Sequence, residues 1–116
     1  MAVLVAIAIP VFTTQLERSR ETTDMANLRS AYAAGTTKAL TDADADGTWY
    51  YNPTVDGSLT SDSGAVTKLG QGTTTDGKAD TTALPGGCTY NTGSDVRNKG
   101  ITVTIANGVV TKIEFA

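Results

Sequence analysis

Histidine is absent from the 116 residues, and cysteine occurs once, at Cys88. The first absence removes the commonest general base and the commonest metal ligand. A single thiol cannot close an intrachain disulfide, so the chain is not a small secreted scaffold stapled by bridges. With no imidazole to activate it, Cys88 reads as a small half-buried residue rather than a nucleophile. Charge is also scarce. Charged residues make up 18% of the chain, and nine Lys and Arg against twelve Asp and Glu leave a net charge of −3. That balance gives no footprint for a phosphate backbone, so no direct nucleic-acid binding is evident. Polarity comes instead from small neutral residues, with threonine at 21 positions and glycine at 12. Thr favours strands and Gly favours turns, so the middle and end of the chain lean towards β-structure and loops. The length suits one domain. Nothing in this inventory assembles an acid–base or nucleophilic site, and the expectation is a protein that is not an enzyme.

The most informative stretch is the first. Ala2, Val3, Leu4, Val5, Ala6, Ile7, Ala8, Ile9, Pro10, Val11 and Phe12 are all apolar. A spanning helix needs about 20 such residues, so this run is too short to cross a bilayer alone. A signal peptide would carry a basic region before the run and a small-residue cleavage site after it, and neither is present. A helix apolar on every side and buried in a soluble core needs protein all round it, which so short a chain is poorly placed to supply. The remaining reading is the later part of a longer apolar stem.

From Val11 onward the pattern turns amphipathic. Met25, Leu28, Tyr32 and Ala39 fall on one helical face, and Glu17, Arg18, Arg20, Glu21, Asp24, Arg29 and Lys38 take other directions. Glu17 with Arg20, and Arg20 with Asp24, stand at pairing distance along the helix. Gly35 weakens the helix, Pro10 is expected to bend it, and it is expected to end near Leu40. Such a rod would be about 58 Å long. A head of this size cannot cover it, so its apolar part is expected to meet lipid or other copies of itself.

Ala8-Ile9-Pro10, then Phe12, then the abrupt switch to Gln15-Leu16-Glu17-Arg18 resembles the N-terminal helix of type IV pilins and major pseudopilins. The match covers the first quarter of the chain. In that family the processed N-terminus lies further upstream, with a methylated Phe and a nearby Glu preceded by a leader ending in Gly. The resemblance therefore implies that this sequence begins inside the stem. It also implies an α+β pilin fold, a long N-terminal α-helix packed against a small antiparallel β-sheet. The implied partners are copies of the chain in a helical filament, the pilus assembly machinery, a prepilin peptidase, and the cytoplasmic membrane before assembly. The implied location is the cell surface. The alternatives are a pseudopilin of a type II secretion or competence system, or a membrane-anchored calcium-binding surface module.

Residues 41–116 are expected to form the head, with a variable loop region over 41–87 and a sheet over 88–116. The sheet signal is clearest at the end. Ile101, Val103 and Ile105 alternate with polar residues, Asn107-Gly108 is the strongest short hairpin signal, and Val109 or Val110, Ile113 and Phe115 return on the same face. A third strand is expected around Cys88-Thr89-Tyr90. Trp49-Tyr50-Tyr51 reads as a short strand or a lid over the helix, in the core rather than at a binding site. The polar stretch 70–80 is expected to be an exposed loop. Asp42, Asp44 and Asp46, followed by Gly47, have the opening spacing of a calcium loop. Position twelve of that pattern falls on Pro53 instead of a bidentate Glu, so the default is a solvated acidic turn with no cofactor, calcium being the alternative.

Overall fold

One helix occupies the first third of the chain. The structure, a computed structural model, describes residues 2–73, 77–82, 84–91 and 94–116, with the side chains of the first helix described from Gln15 onward. Helix α1 runs Ala2–Thr41 without interruption at Pro10. At 1.5 Å per residue it is about 60 Å long, which accounts for the longest dimension of the molecule, 64 Å against 27 and 18 Å for the other two. Its end is built locally. Lys38 lies in the last turn, where the helix dipole favours a cation. Its ammonium pairs with Asp42 at 3.0 Å and sits 4.1 Å from the centre of the Trp49 ring.

The head is a four-stranded antiparallel sheet of β1 (Gly47–Tyr51), β2 (Leu59–Thr60), β3 (Ile101–Ala106) and β4 (Val109–Phe115), in the order β2-β1-β3-β4. The β3–β4 hairpin forms where the alternation and the Asn-Gly pair place it. Asn107 and Gly108 take φ values of 53° and 75°, the left-handed pair of a type I′ turn. The choice between Val109 and Val110 is made by a bulge. Thr104 pairs with Lys112 but Ile105 pairs with Val110, leaving Thr111 as the extra residue. The slip reverses the alternation, so Val110 packs against the core while Val109 is 61% exposed.

The sheet departs from the sequence reading in where it finds its other strands. Trp49, Tyr50 and Tyr51 lie in β1, which pairs with β3 in the sheet interior, so the region 41–87 contributes both β1 and β2. The segment around Cys88 does not form a third strand. It makes one parallel bridge, Cys88 to Ile113, on the outer side of β4, held by Thr89 N–H to Ile113 O and Ile113 N–H to Gly87 O, both 2.8 Å.

Leu28 and Ala31 of α1 pack onto Ile101, Val103, Ile105 and Ile113, closed at one side by Ala45, Tyr51 and Leu59. Gly35 sets the closeness of this contact. A Cβ there would stand 2.9 Å from Val103 Cγ1 and 3.0 Å from Val110 Cγ2. The glycine costs the helix about 1 kcal/mol relative to alanine, and in exchange the sheet can approach the helix backbone.

Candidate functional site

The unusual chemistry lies on α1, about one to three turns before the apolar contact at Leu28. Glu17, Glu21 and Asp24 are 1%, 1% and 0% exposed. The sequence reading had them pointing away from the packed face; the structure has them on it. Burying an ionised carboxylate is costly unless it is fully hydrogen-bonded, and the chain segment 70–80 supplies the donors. Asp24 accepts from Gln71 N–H through Oδ1 at 2.8 Å. Its Oδ2 accepts from Gly72 N–H at 2.7 Å and from the Tyr90 hydroxyl at 2.7 Å. Glu17 accepts from the Thr73 N–H at 2.6 Å and the Thr73 hydroxyl at 2.8 Å. Glu21 accepts from Gly77 N–H at 2.9 Å and Ala79 N–H at 3.1 Å. Arg18 closes the contact from the helix side, donating Nε–H to Gly77 O at 3.0 Å, and Arg20 reaches Glu17 at 3.5 Å. The expected Arg20–Glu17 pair is therefore present, but its acid is buried beneath a loop.

This corrects in part the reading of 70–80 as an exposed loop: the segment is a loop and Gln71, Lys78 and Asp80 are exposed, but its glycines are not. Gly70, Gly72 and Gly77 are buried, and residues 74–76 lie outside the described part. On either side of these residues the chain approaches the helix closely because glycine permits it. A Cβ on Gly77 would collide with Arg18 N and stand 2.5 Å from Arg18 Cα. Lys78 takes a φ of 57°, and this left-handed step turns the N–H groups on either side of it onto the one Glu21 carboxylate, the geometry of a backbone anion nest. Among the described residues no buried side-chain nitrogen or oxygen lacks a partner.

A signal for this clasp is present in the chain. Positions 17, 21 and 24 continue the 28, 32, 35, 39 stripe towards the N-terminus, so the acids stand on the packed face. The glycines at 70, 72 and 77 are the matching half, backbone donors without side chains in the way.

Tyr90 is part of the same cluster. Burial first, and then the hydrogen bond to Asp24 and the nearby charges of Asp24, Glu21 and Glu17, push its phenol far above its ordinary value. The folded state therefore keeps a proton that the unfolded state releases, so the stabilisation is complete below the ordinary tyrosine value of 10.0 and is lost as pH rises beyond it. Urea unfolding at neutral and at strongly alkaline pH measures this. The wild type is expected to weaken across that interval. Tyr90→Phe is expected to start about 1–2 kcal/mol less stable, having lost one bond to a carboxylate, and to show a shallower alkaline decline.

The acidic turn has been given other work. Asp42 Oδ1 accepts from Asp44 N–H at 2.9 Å. That bond first, and the Lys38 ammonium second, hold Asp42 below the ordinary carboxylate range. Asp46 turns the other way and accepts from the N–H groups of Asn107 and Gly108, both at 3.0 Å. Asp44 is exposed between them. Among the described residues no group of three or more His, Cys, Asp or Glu side chains converges on a metal position. Cys88 is half-buried, and burial pushes its thiol up, against a smaller opposing pull from Arg29.

The stem residues Ala2, Val3, Leu4, Val5, Ala6, Ile7, Ala8, Ile9, Pro10, Val11 and Phe12 are helical, and their side chains lie outside those described. Among the described residues, no helix is long and apolar enough to cross a membrane. The described side-chain bonds from α1 to the head begin at Glu17 and Arg18. Comparison with protein-family models, with curated proteins and with solved structures finds no match for this chain.

Proposed function

We propose that this chain is a structural subunit of a type IV pilus-like filament and assembles through the apolar first turns of α1. The observation that carries the reading is the reach of the helix. Among the described residues, bonds to the head begin at Glu17, and fifteen residues at 1.5 Å per residue set Ala2 about 22 Å further along the axis. The sequence of that reach is apolar from Ala2 to Phe12. Val3, Leu4, Val5, Ile7, Ile9, Val11 and Phe12 would contribute roughly 10–20 kcal/mol if buried between copies. That is enough to offset an association cost of about 4–15 kcal/mol. The head then forms the outer shell, and before assembly the stem lies in the membrane.

The test compares the full chain with one lacking residues 2–12, by sedimentation and electron microscopy in the absence of detergent. The full chain is expected to assemble or to require detergent. The shortened chain, which keeps every described head contact, is expected to be a soluble monomer with unchanged near-ultraviolet circular dichroism. Filaments from the shortened chain, or a monodisperse full chain without detergent, would overturn the proposal.

A further inference from the structure

The β3–β4 turn holds a reactive pair in a conformation that blocks its reaction. In an Asn-Gly sequence the glycine nitrogen can attack the Asn side-chain carbonyl carbon. The C–N bond to the side-chain amide breaks, ammonia leaves with the proton given up by the backbone nitrogen, and a five-membered succinimide forms. Water then opens the ring, giving aspartate or isoaspartate. Asn107 and Gly108 are both exposed, so water is at hand for that last step.

Two features of the fold oppose the first step. Ring closure needs the Gly108 nitrogen to eclipse Cβ about the Asn107 Cα–C bond. Asn107 is left-handed at φ 53°, and that region centres near ψ of about +47°, which sets the nitrogen almost opposite Cβ. The second feature is Asp46, whose two carboxylate oxygens separately hold the N–H groups of Asn107 and Gly108 at 3.0 Å. This grip fixes the turn in its left-handed form. It also places a negative charge against the nitrogen that must lose its proton to become a nucleophile, and like charges so close disfavour the anion. A carboxylate is far too weak a base to take an amide proton outright, so its effect on the reaction is inhibitory.

We propose that Asn107-Gly108 is a latent deamidation site and that Asp46, from a different element of the fold, is the residue that guards it. Conversion to isoaspartate is not undone by refolding. The isoaspartyl link adds a methylene to the backbone of a two-residue turn, so the left-handed pair and the grip of Asp46 on its two N–H groups are lost, whereas aspartate at 107 keeps a backbone that the turn accepts.

The test incubates the full chain at mildly alkaline pH and reads isoaspartate at position 107 in the tryptic peptide 100–112 by mass spectrometry. The chain is used folded, in denaturant, and as Asp46→Ala and Asp46→Ser; asparagine at 46 is avoided because Gly47 would make a second Asn-Gly pair. Folded wild type is expected to convert at least roughly tenfold more slowly than the denatured chain, the factor carried by one charge-assisted hydrogen bond. Asp46→Ala is expected to lose most of that protection while circular dichroism remains native, with Asp46→Ser between the two. Equal rates in folded and denatured wild type would overturn the proposal, and this comparison needs no variant to fold. So would a folded Asp46→Ala that converts no faster than wild type.

Discussion

Asp24→Ala is expected to lower the melting temperature by roughly 10–20 °C, the shift that a loss of about 3–5 kcal/mol produces in a domain of this size. The loss is large because three donors converge on this side chain, Gln71 N–H, Gly72 N–H and the Tyr90 hydroxyl. Alanine removes the acceptor and leaves the donors in place. A buried donor stripped of its partner costs about 1–3 kcal/mol, and Asp24 is fully buried. Asp24→Asn keeps the size and one acceptor oxygen, so it should retain part of the stability. Calorimetry on the three proteins checks both magnitude and order. A loss under about 1 kcal/mol in Asp24→Ala would mean that water replaces the carboxylate at no cost, and the segment would not be held as described.

The second large effect is local. Gly77→Ala places a methyl group inside the van der Waals envelope of Arg18 N, Arg18 Cα and the Glu17 carbonyl carbon. These are helix backbone atoms and cannot move aside as a flexible side chain would. The segment has to lift, which breaks both bonds to Glu21 and the Arg18 bond to Gly77 O. Hydrogen exchange at Ala79 should then rise by orders of magnitude, and trypsin should cut after Lys78 under conditions that leave the wild type intact. The helix–sheet core does not depend on this contact, so amides of Val103 and Ile105 should keep their protection. Unchanged exchange at Ala79 would contradict the close approach. Simultaneous loss at Val103 would mean that clasp and core unfold as one unit.

The two halves of the head differ in how far the chain announces them. The β3–β4 hairpin was legible because its information is local: period-two alternation over 101–105 and an Asn-Gly turn. The long helix and its Met25/Leu28/Tyr32 face were legible for the same reason, as was the α+β arrangement. β1 was half legible, since the aromatic run marked a strand but not its partner β3, some fifty residues away. The buried acids were not read at all. An acid on a helix carries the same letters whether it meets water or a backbone amide, and the difference lies in residues 70–79, which bring donors from far along the chain. Only the joint reading of position 17-21-24 with the glycines at 70, 72 and 77 would have joined them. In the acidic turn, too, the long-range partners were out of sight. Asp46 lies in the spacing of an ion-binding loop, yet its partners are two amides of a hairpin sixty residues downstream.

The clasp has a consequence for how this molecule could diversify. Most of the donors that Glu17, Glu21 and Asp24 capture are main-chain amides, which every residue except proline possesses. The grip is therefore blind to side-chain identity wherever no methyl group collides with the rod. At an outward position such as Gln71, whose amide is captured while its side chain is exposed, the chain can change its chemical face without changing its anchorage. A lineage under pressure to alter what it displays would find that freedom in the strap, with the three glycines and three acids staying fixed.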